Sequence, residues 1–228
     1  MSVEFMFLGG AGEVGNVALE LAVDGARFLC DYGYAPSRPP SFPKAMSRSP
    51  DLVLLSHCHV DHSGMIPHLA NRCEADVLAT PPTQAMAELL AYDSLKVAQN
   101  ENYGLPYESS DVRRAQELFD LAPFGGNREV ESVEVRLRSA GHIPGAAMFE
   151  IEGSKKVLFT GDINTVDTHL VKGTKPRPCD LLFVESTYAG REHPDREQTE
   201  KRFVERVREV VDRGGKAIVP VFAVGRTQ

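Results

Sequence analysis

The chain has 228 residues, 42% apolar and 25% charged, close to the averages of folded globular proteins, which excludes a disordered or collagen-like chain. Its 25 Lys and Arg against 32 Asp and Glu leave a net charge of -7, so it is not expected to coat nucleic acid or anionic membrane by bulk charge; any polyanion must be held locally. No apolar run is long enough to span a bilayer, and Glu4 stands where a secretion signal needs a basic start and an apolar stretch, so a cytoplasmic protein is expected.

Residues 3–8 read as a strand followed by a glycine cluster. In 17–23, Val17, Leu19, Leu21 and Val23 fall at every second position, the period of a half-buried strand. Asp24-Gly25 reads as a turn and 26–31 as a third strand, so the chain opens as a β-meander. Residues 33–50 contain Pro36, Pro39, Pro40, Pro43 and Pro50 and read as a loop. The apolar run 52–56 suits a strand covered on both faces, and a helix is expected after Asp61. Thr80 with Pro81 and Pro82 starts a helix with Met86, Leu89 and Leu90 on one face, and Ser110-Asp111 starts another with Val112, Ala115, Leu118 and Phe119. Strands are expected at 133–139, 147–151, 156–160 and 181–184. Beyond Tyr188 a polar stretch leads into a helix with Phe203, Val204, Val207, Val210 and Val211 on its apolar face. Gly214-Gly215 ends that helix, and 217–223 reads as a strand. Strands first, then helices and strands interleaved, predict an α/β layered fold.

Gly10-x-Gly12-x-x-Gly15, with Asp31 downstream, matches the letter of a dinucleotide-binding fingerprint. That fingerprint requires a helix after the third glycine. The period-two run from Val17 puts a strand there, so the glycines are read as a tight turn.

The strongest signal is His57-Cys58-His59-Val60-Asp61-His62, placed directly after an apolar strand. Three imidazoles and a carboxylate this close are hard to explain as packing and point to a metal. His142 and Asp162 each follow a β run, and ligands from several strand ends are the usual construction of an α/β site. Nitrogen and oxygen donors without a thiolate pair suit Zn²⁺, with Mn²⁺ or Fe as alternatives. Cys58 lies between two ligands and reads as core filler; it and Cys30, Cys73 and Cys179, with no C-x-x-C pair, are expected as reduced thiols. Six candidate ligands exceed one four-coordinate ion and argue for two metals bridged by hydroxide, hence metal-assisted hydrolysis.

His57-x-His59-x-Asp61-His62, with Asp31 before it and His142 and Asp162 after it, resembles the metallo-β-lactamase superfamily, whose fold is an αββα sandwich with the metals at one edge. Glu185-Ser186-Thr187-Tyr188 and the closing Pro220-Val221-Phe222-Ala223-Val224-Gly225-Arg226-Thr227-Gln228 resemble the β-CASP nucleases within it, most of all archaeal relatives of the cleavage and polyadenylation specificity factor. The resemblance implies a metallo-β-lactamase part over 1–188 and the start of a β-CASP part over 189–228. It implies that His57, His59 and His142 hold one zinc and Asp61 and His62 a second, with Asp162 bridging and Asp61 and Asp162 at the reacting centre. Asp31 would orient a ligand, although capping a turn before Gly33 explains it as well. Glu185 would assist the leaving group, although it also suits a turn cap. Gly225 and Arg226, at a helix start, would receive a substrate phosphate. Lys172, Lys175 and Arg177 share a loop and offer a local basic path for nucleic acid, although ordinary solvated charge explains the two lysines better; His68, His169 and His193 are read as solvated.

The family's later histidines have no counterpart here, so the chain is expected to be the N-terminal part of a longer enzyme or a half that needs a partner, weakly active or inactive alone. The implied activity is a zinc-dependent endoribonuclease that cuts RNA by attack of metal-bound hydroxide, in 3′-end processing or decay. Implied partners are single-stranded RNA, a second copy or an RNA-processing complex, and no membrane. A non-catalytic scaffold subunit and a small-molecule metallo-hydrolase remain as alternatives.

Overall fold

The computed structural model describes residues 2–225 and 227, and its contacts divide the chain into two compact units, Met1–Glu185 and Ser186–Gln228. In the first unit, strands β1 (Val3–Gly9), β2 (Ala18–Val23) and β3 (Ala26–Tyr32) form the expected antiparallel meander. The β2–β3 turn works because Asp24 (φ 50°) and Gly25 (φ 101°) both take left-handed backbone, which a two-residue hairpin turn demands. A strand, not a helix, follows Gly15.

The chain then crosses over repeatedly, adding β4 (Leu52–Leu54), β5 (Asp76–Ala79) and β6 (Phe119–Leu121) in parallel beside β3. The crossovers carry α1 (Val60–Ser63), α2 (Ile66–Leu69), α3 (Pro81–Glu101) and α4 (Ser109–Ala115). A second sheet follows in the order β11-β10-β9-β8-β7, from β7 (Asn127–Val130), β8 (Val133–Ser139), β9 (Ala147–Glu152), β10 (Lys156–Phe159) and β11 (Leu181–Phe183). Leu19, Leu21, Phe28, Leu54 and Leu78 of the first sheet meet Val135, Leu137, Phe149, Ile151 and Val157 of the second in one core. Leu29, Val53 and Val77, which alternate with those residues, are buried on the opposite, helix-bearing side of the first sheet.

Three strands, at 76–79, 119–121 and 127–130, carry no sequence expectation. They are three or four residues long, and neighbouring strands supply the pairing that local pattern does not reveal. Three expectations need correction. The buried side of α3 is Thr83, Ala87, Ala91, Ser94 and Ala98, and Leu89 lies exposed, because close packing there selects small side chains. Helix α4 stops at Ala115; a 3₁₀ turn, Gln116–Leu118, follows and Phe119 enters β6, because pairing with β5 takes over. Residues 217–223 form no strand: the second unit holds no strand among its described residues, so no neighbouring strand offers them a ladder.

The second unit is built on α5 (Arg196–Asp212), capped by Asp195, which accepts from the Gln198 N–H at 2.9 Å. At its other end Gly214 is left-handed and the Gly215 N–H reaches the Val210 carbonyl. Phe203, Val204 and Val211 of its apolar face are exposed. No helix among the described residues is long and apolar enough to cross a membrane.

Candidate metal centre

The ends of β3, β4, β8 and β10 converge on one edge of the sandwich. After β4 the chain runs through Ser56 and His57 and, from His59, winds into α1, whose single turn carries Asp61 and His62. This turn lies so close to the chain after β3 that a Cβ on Gly33 would stand 1.9 Å from the Asp61 carbonyl carbon and oxygen. The Val17 N–H donates to that same carbonyl at 3.0 Å and the Tyr34 N–H donates to the Val60 carbonyl at 3.1 Å. The loop between β8 and β9 presents His142. Its Gly145 carbonyl accepts from the buried hydroxyls of Thr80 and Thr83 at 2.7 and 3.0 Å, which pins the loop to the start of α3. Gly33, Thr80 and Thr83 carry no site signal in the sequence, where the proline pair marks only a helix start.

His57 Nε2 lies 3.0 Å from His59 Nδ1, which lies 3.3 Å from His142 Nε2. Asp162 Oδ2 is 3.7 Å from His57 Nε2 and 3.4 Å from His142 Nε2. All four atoms fall within 4.8 Å of one another. An ion with four ligands at 2.0–2.1 Å in a tetrahedron separates its ligand atoms by about 3.3 Å, so this set fits a metal such as zinc with little adjustment. The other carboxylate oxygen, Asp162 Oδ1, lies 3.3 Å from His62 Nε2, which is 3.8 Å from Asp61 Oδ2. The two oxygens of Asp162 thus face two histidine groups. Behind them Asp31 Oδ2 contacts His62 Nδ1 at 2.6 Å.

The rear of the site is buried and the front open: His57 and Asp31 are fully buried, whereas Asp61, His142 and Asp162 are about a quarter to a third exposed. Burial, reinforced by the neighbouring His62, holds the His57 imidazole well below its ordinary proton affinity, and the charge of Asp162 opposes this only in part. His142 is lowered by burial too, against the charges of Asp162 and Glu185. His62 is raised well above the ordinary value: burial opposes its charge, but Asp31 and Asp162 together outweigh burial. Burial also works against the Asp162 carboxylate, yet His62, His57 and His142 hold it well below the usual range. Burial pushes the Cys58 thiol up to about 12, which suits core filler and not a thiolate ligand.

The remaining candidates scatter. Glu185 ends the first unit near enough to act on His142 by charge. Arg177 is engaged by the buried Glu150 at 3.2 Å, alongside Arg138 at 2.7 Å, while Lys172 and Lys175 are exposed. His68 meets the Pro106 carbonyl and His193 the Tyr188 ring. Gly225 lies in the second unit with a left-handed backbone, and Arg226 falls outside the described residues.

The chain is 36% identical to the probable RNase MJ4 of Methanocaldococcus jannaschii, an alignment covering 99% of this chain and 55% of that protein. It is 34% identical to RNase aCSPSF2 of Saccharolobus solfataricus, over 100% of this chain and 47% of that one. Cleavage and polyadenylation specificity factor subunit 3 of Dictyostelium discoideum is 35% identical, over 99% of this chain and 31% of that protein. The chain therefore spans about half the length of these archaeal relatives. A crystal structure of a protein of unknown function from Enterococcus faecalis V583 shares the fold, with a TM-score of 0.55 at 16% identity over 90% of this chain and 57% of that one. Residues 27–215 match the family model of the beta-lactamase superfamily domain, and with that match over most of its length the chain belongs to the metallo-β-lactamase superfamily.

Proposed function

We propose that the chain is the metal-binding part of a zinc-dependent endoribonuclease acting on single-stranded RNA, with residues 1–188 as the metallo-β-lactamase part and 189–228 opening a β-CASP part. The observation that carries this is Asp162, whose two carboxylate oxygens face His57 and His142 on one side and His62 on the other. His57, His59, His142 and Asp162 would hold one zinc, and Asp61, His62 and Asp162 the other. Bound zinc lowers the pKa of water toward neutrality and offsets charge on an attacked phosphate. Asp162, with one carboxylate oxygen toward each histidine group, would be shared by both ions. Asp61 and Asp162, whose carboxylates are partly exposed, would lie at the reacting centre. Asp31 fixes the ring of His62, and Glu185, close enough to act on His142 by charge, would assist departure of the leaving oxygen. The names of the relatives support RNA as the substrate and an RNA-processing assembly as the setting; Gly225 and Arg226 would receive a phosphate.

The test is cleavage of a 5′-labelled unstructured RNA under single-turnover conditions with zinc-loaded protein in excess, beside thioester and β-lactam substrates. Internal cleavage is expected, weak for these 228 residues alone, stronger for a longer protein that carries them at the length of the relatives, and lost in Asp162→Asn of either. Hydrolysis of a small substrate with RNA untouched would replace this reading with a small-molecule hydrolase, and zinc binding without any hydrolysis by the longer protein would favour a scaffold.

A further inference from the structure

Ser56 is the residue on which the strand ends of the site meet. It is fully buried. Its N–H donates to Asp31 Oδ1 at 2.7 Å, and its Oγ lies 2.7 Å from Asp31 Oδ2 and 3.0 Å from His57 Nδ1. Its carbonyl accepts from the Ala147 N–H at 2.8 Å, at the foot of the loop that presents His142. A Cβ on Gly161 would stand 2.5 Å from Ser56 Cβ and Oγ, so the residue before Asp162 rests directly on this side chain.

Counting hydrogens decides what Ser56 does. A serine hydroxyl has one hydrogen to donate and lone pairs to accept with, and a carboxylate only accepts. The hydroxyl hydrogen therefore goes to Asp31 Oδ2, which turns an oxygen lone pair toward His57 Nδ1. That nitrogen must supply the hydrogen of the 3.0 Å contact. In a neutral imidazole the other nitrogen, Nε2, is then bare, and Nε2 is the atom that faces His59 Nδ1 and Asp162 Oδ2. The same Asp31 oxygen takes His62 Nδ1 at 2.6 Å, so one carboxylate governs both histidines, one directly and one through a hydroxyl.

We infer that Ser56 is a positioning residue that relays Asp31 to His57 and holds this imidazole as the Nδ1–H tautomer, with Nε2 bare toward the ion. The part of this inference that concerns the ion rests on the metal-centre reading above; the tautomer does not. Outer partners that fix a ligand's tautomer typically govern about 10–100-fold in metal affinity.

The experiment uses metal-free protein labelled with ¹⁵N at histidine, reading ring nitrogens by long-range ¹H–¹⁵N correlation and identifying the His57 signal by its loss in His57→Gln. The wild type is expected to show Nδ1 protonated and Nε2 bare. Ser56→Ala is expected to lose that preference and to bind Co²⁺ about 10–100-fold more weakly, and Ser56→Thr, which keeps the hydroxyl, to recover both. An Nε2–H tautomer in the wild type overturns the inference even if Ser56→Ala does not fold. So does a folded Ser56→Ala with unchanged tautomer and cobalt affinity. A wild type that shows the Nδ1–H tautomer but binds no Co²⁺ would upset the metal reading and leave the relay standing.

Discussion

His57 and His62 are buried histidines on one short segment, yet their surroundings drive their proton affinities in opposite directions. Burial dominates at His57. At His62 two carboxylates overcome it. In the metal-free protein, the unfolded chain takes up protons at His57 and His142 below about pH 6.5 while the folded protein does not, so these residues should lower stability on acidification. His62 acts with the opposite sign. Its folded pKa is raised, so its contribution is complete below about pH 6.5 and disappears as pH rises through the folded value. Melting temperatures measured against pH in chelator should therefore fall on the alkaline side in the wild type and less steeply in His62→Gln; identical alkaline slopes would refute the role given to Asp31 and Asp162. Replacing His57 and His59 together by alanine removes two of the four converging atoms, and elemental analysis should then find the metal of that position lost.

Helix α3 shows how an element far from the ligands in sequence shapes their geometry. Thr80 caps the helix, accepting from the Thr83 N–H, and the hydroxyls of both threonines donate to Gly145 in the His142 loop. Thr80→Ala should cost about 1–2 kcal/mol of stability through the lost cap alone, and should also weaken metal binding because the loop loses a tether. Denaturant titration and Co²⁺ titration of the same variant measure the two effects, and an unchanged cobalt affinity would confine Thr80 to the helix. Gly33→Ala drives a methyl into the Asp61 backbone, which has no flexible end to yield. Overpacking of this kind costs about 1–3 kcal/mol or more, so a melting temperature within a degree of the wild type would contradict the close approach of α1 to the chain after β3.

At the scale of the molecule, all six candidate ligands, with Asp31 and Ser56, lie within Met1–Glu185. The inter-sheet core lies there as well. In Ser186–Gln228 no residue of α5 is buried, and Ile218 and Phe222 are largely exposed. A chain ending at Glu185 should therefore fold and bind metal with the stoichiometry and affinity of the 228-residue chain. Metal content by mass spectrometry and a cooperative thermal transition check this, and loss of either would assign residues 186–228 a part in holding the first unit together.

The first three strands, the Thr80 helix start and the candidate ligands are legible in the sequence because each is encoded locally. Alternation, a cap followed by prolines, and a dense histidine motif after an apolar strand need only neighbouring residues to be read. What the tertiary structure decided depends on partners far apart in the chain. Strand register brings Asp31 to Ser56 and His62, where its oxygens accept hydrogen bonds, although the sequence left it equally suited to a turn. The pairing of Arg177 with Glu150 turns a residue of a basic loop into one arm of an ion network. The short strands β5, β6 and β7 exist because adjacent strands satisfy their backbone groups, whereas the more apolar run at 217–223 has no adjacent strand among the described residues and stays irregular.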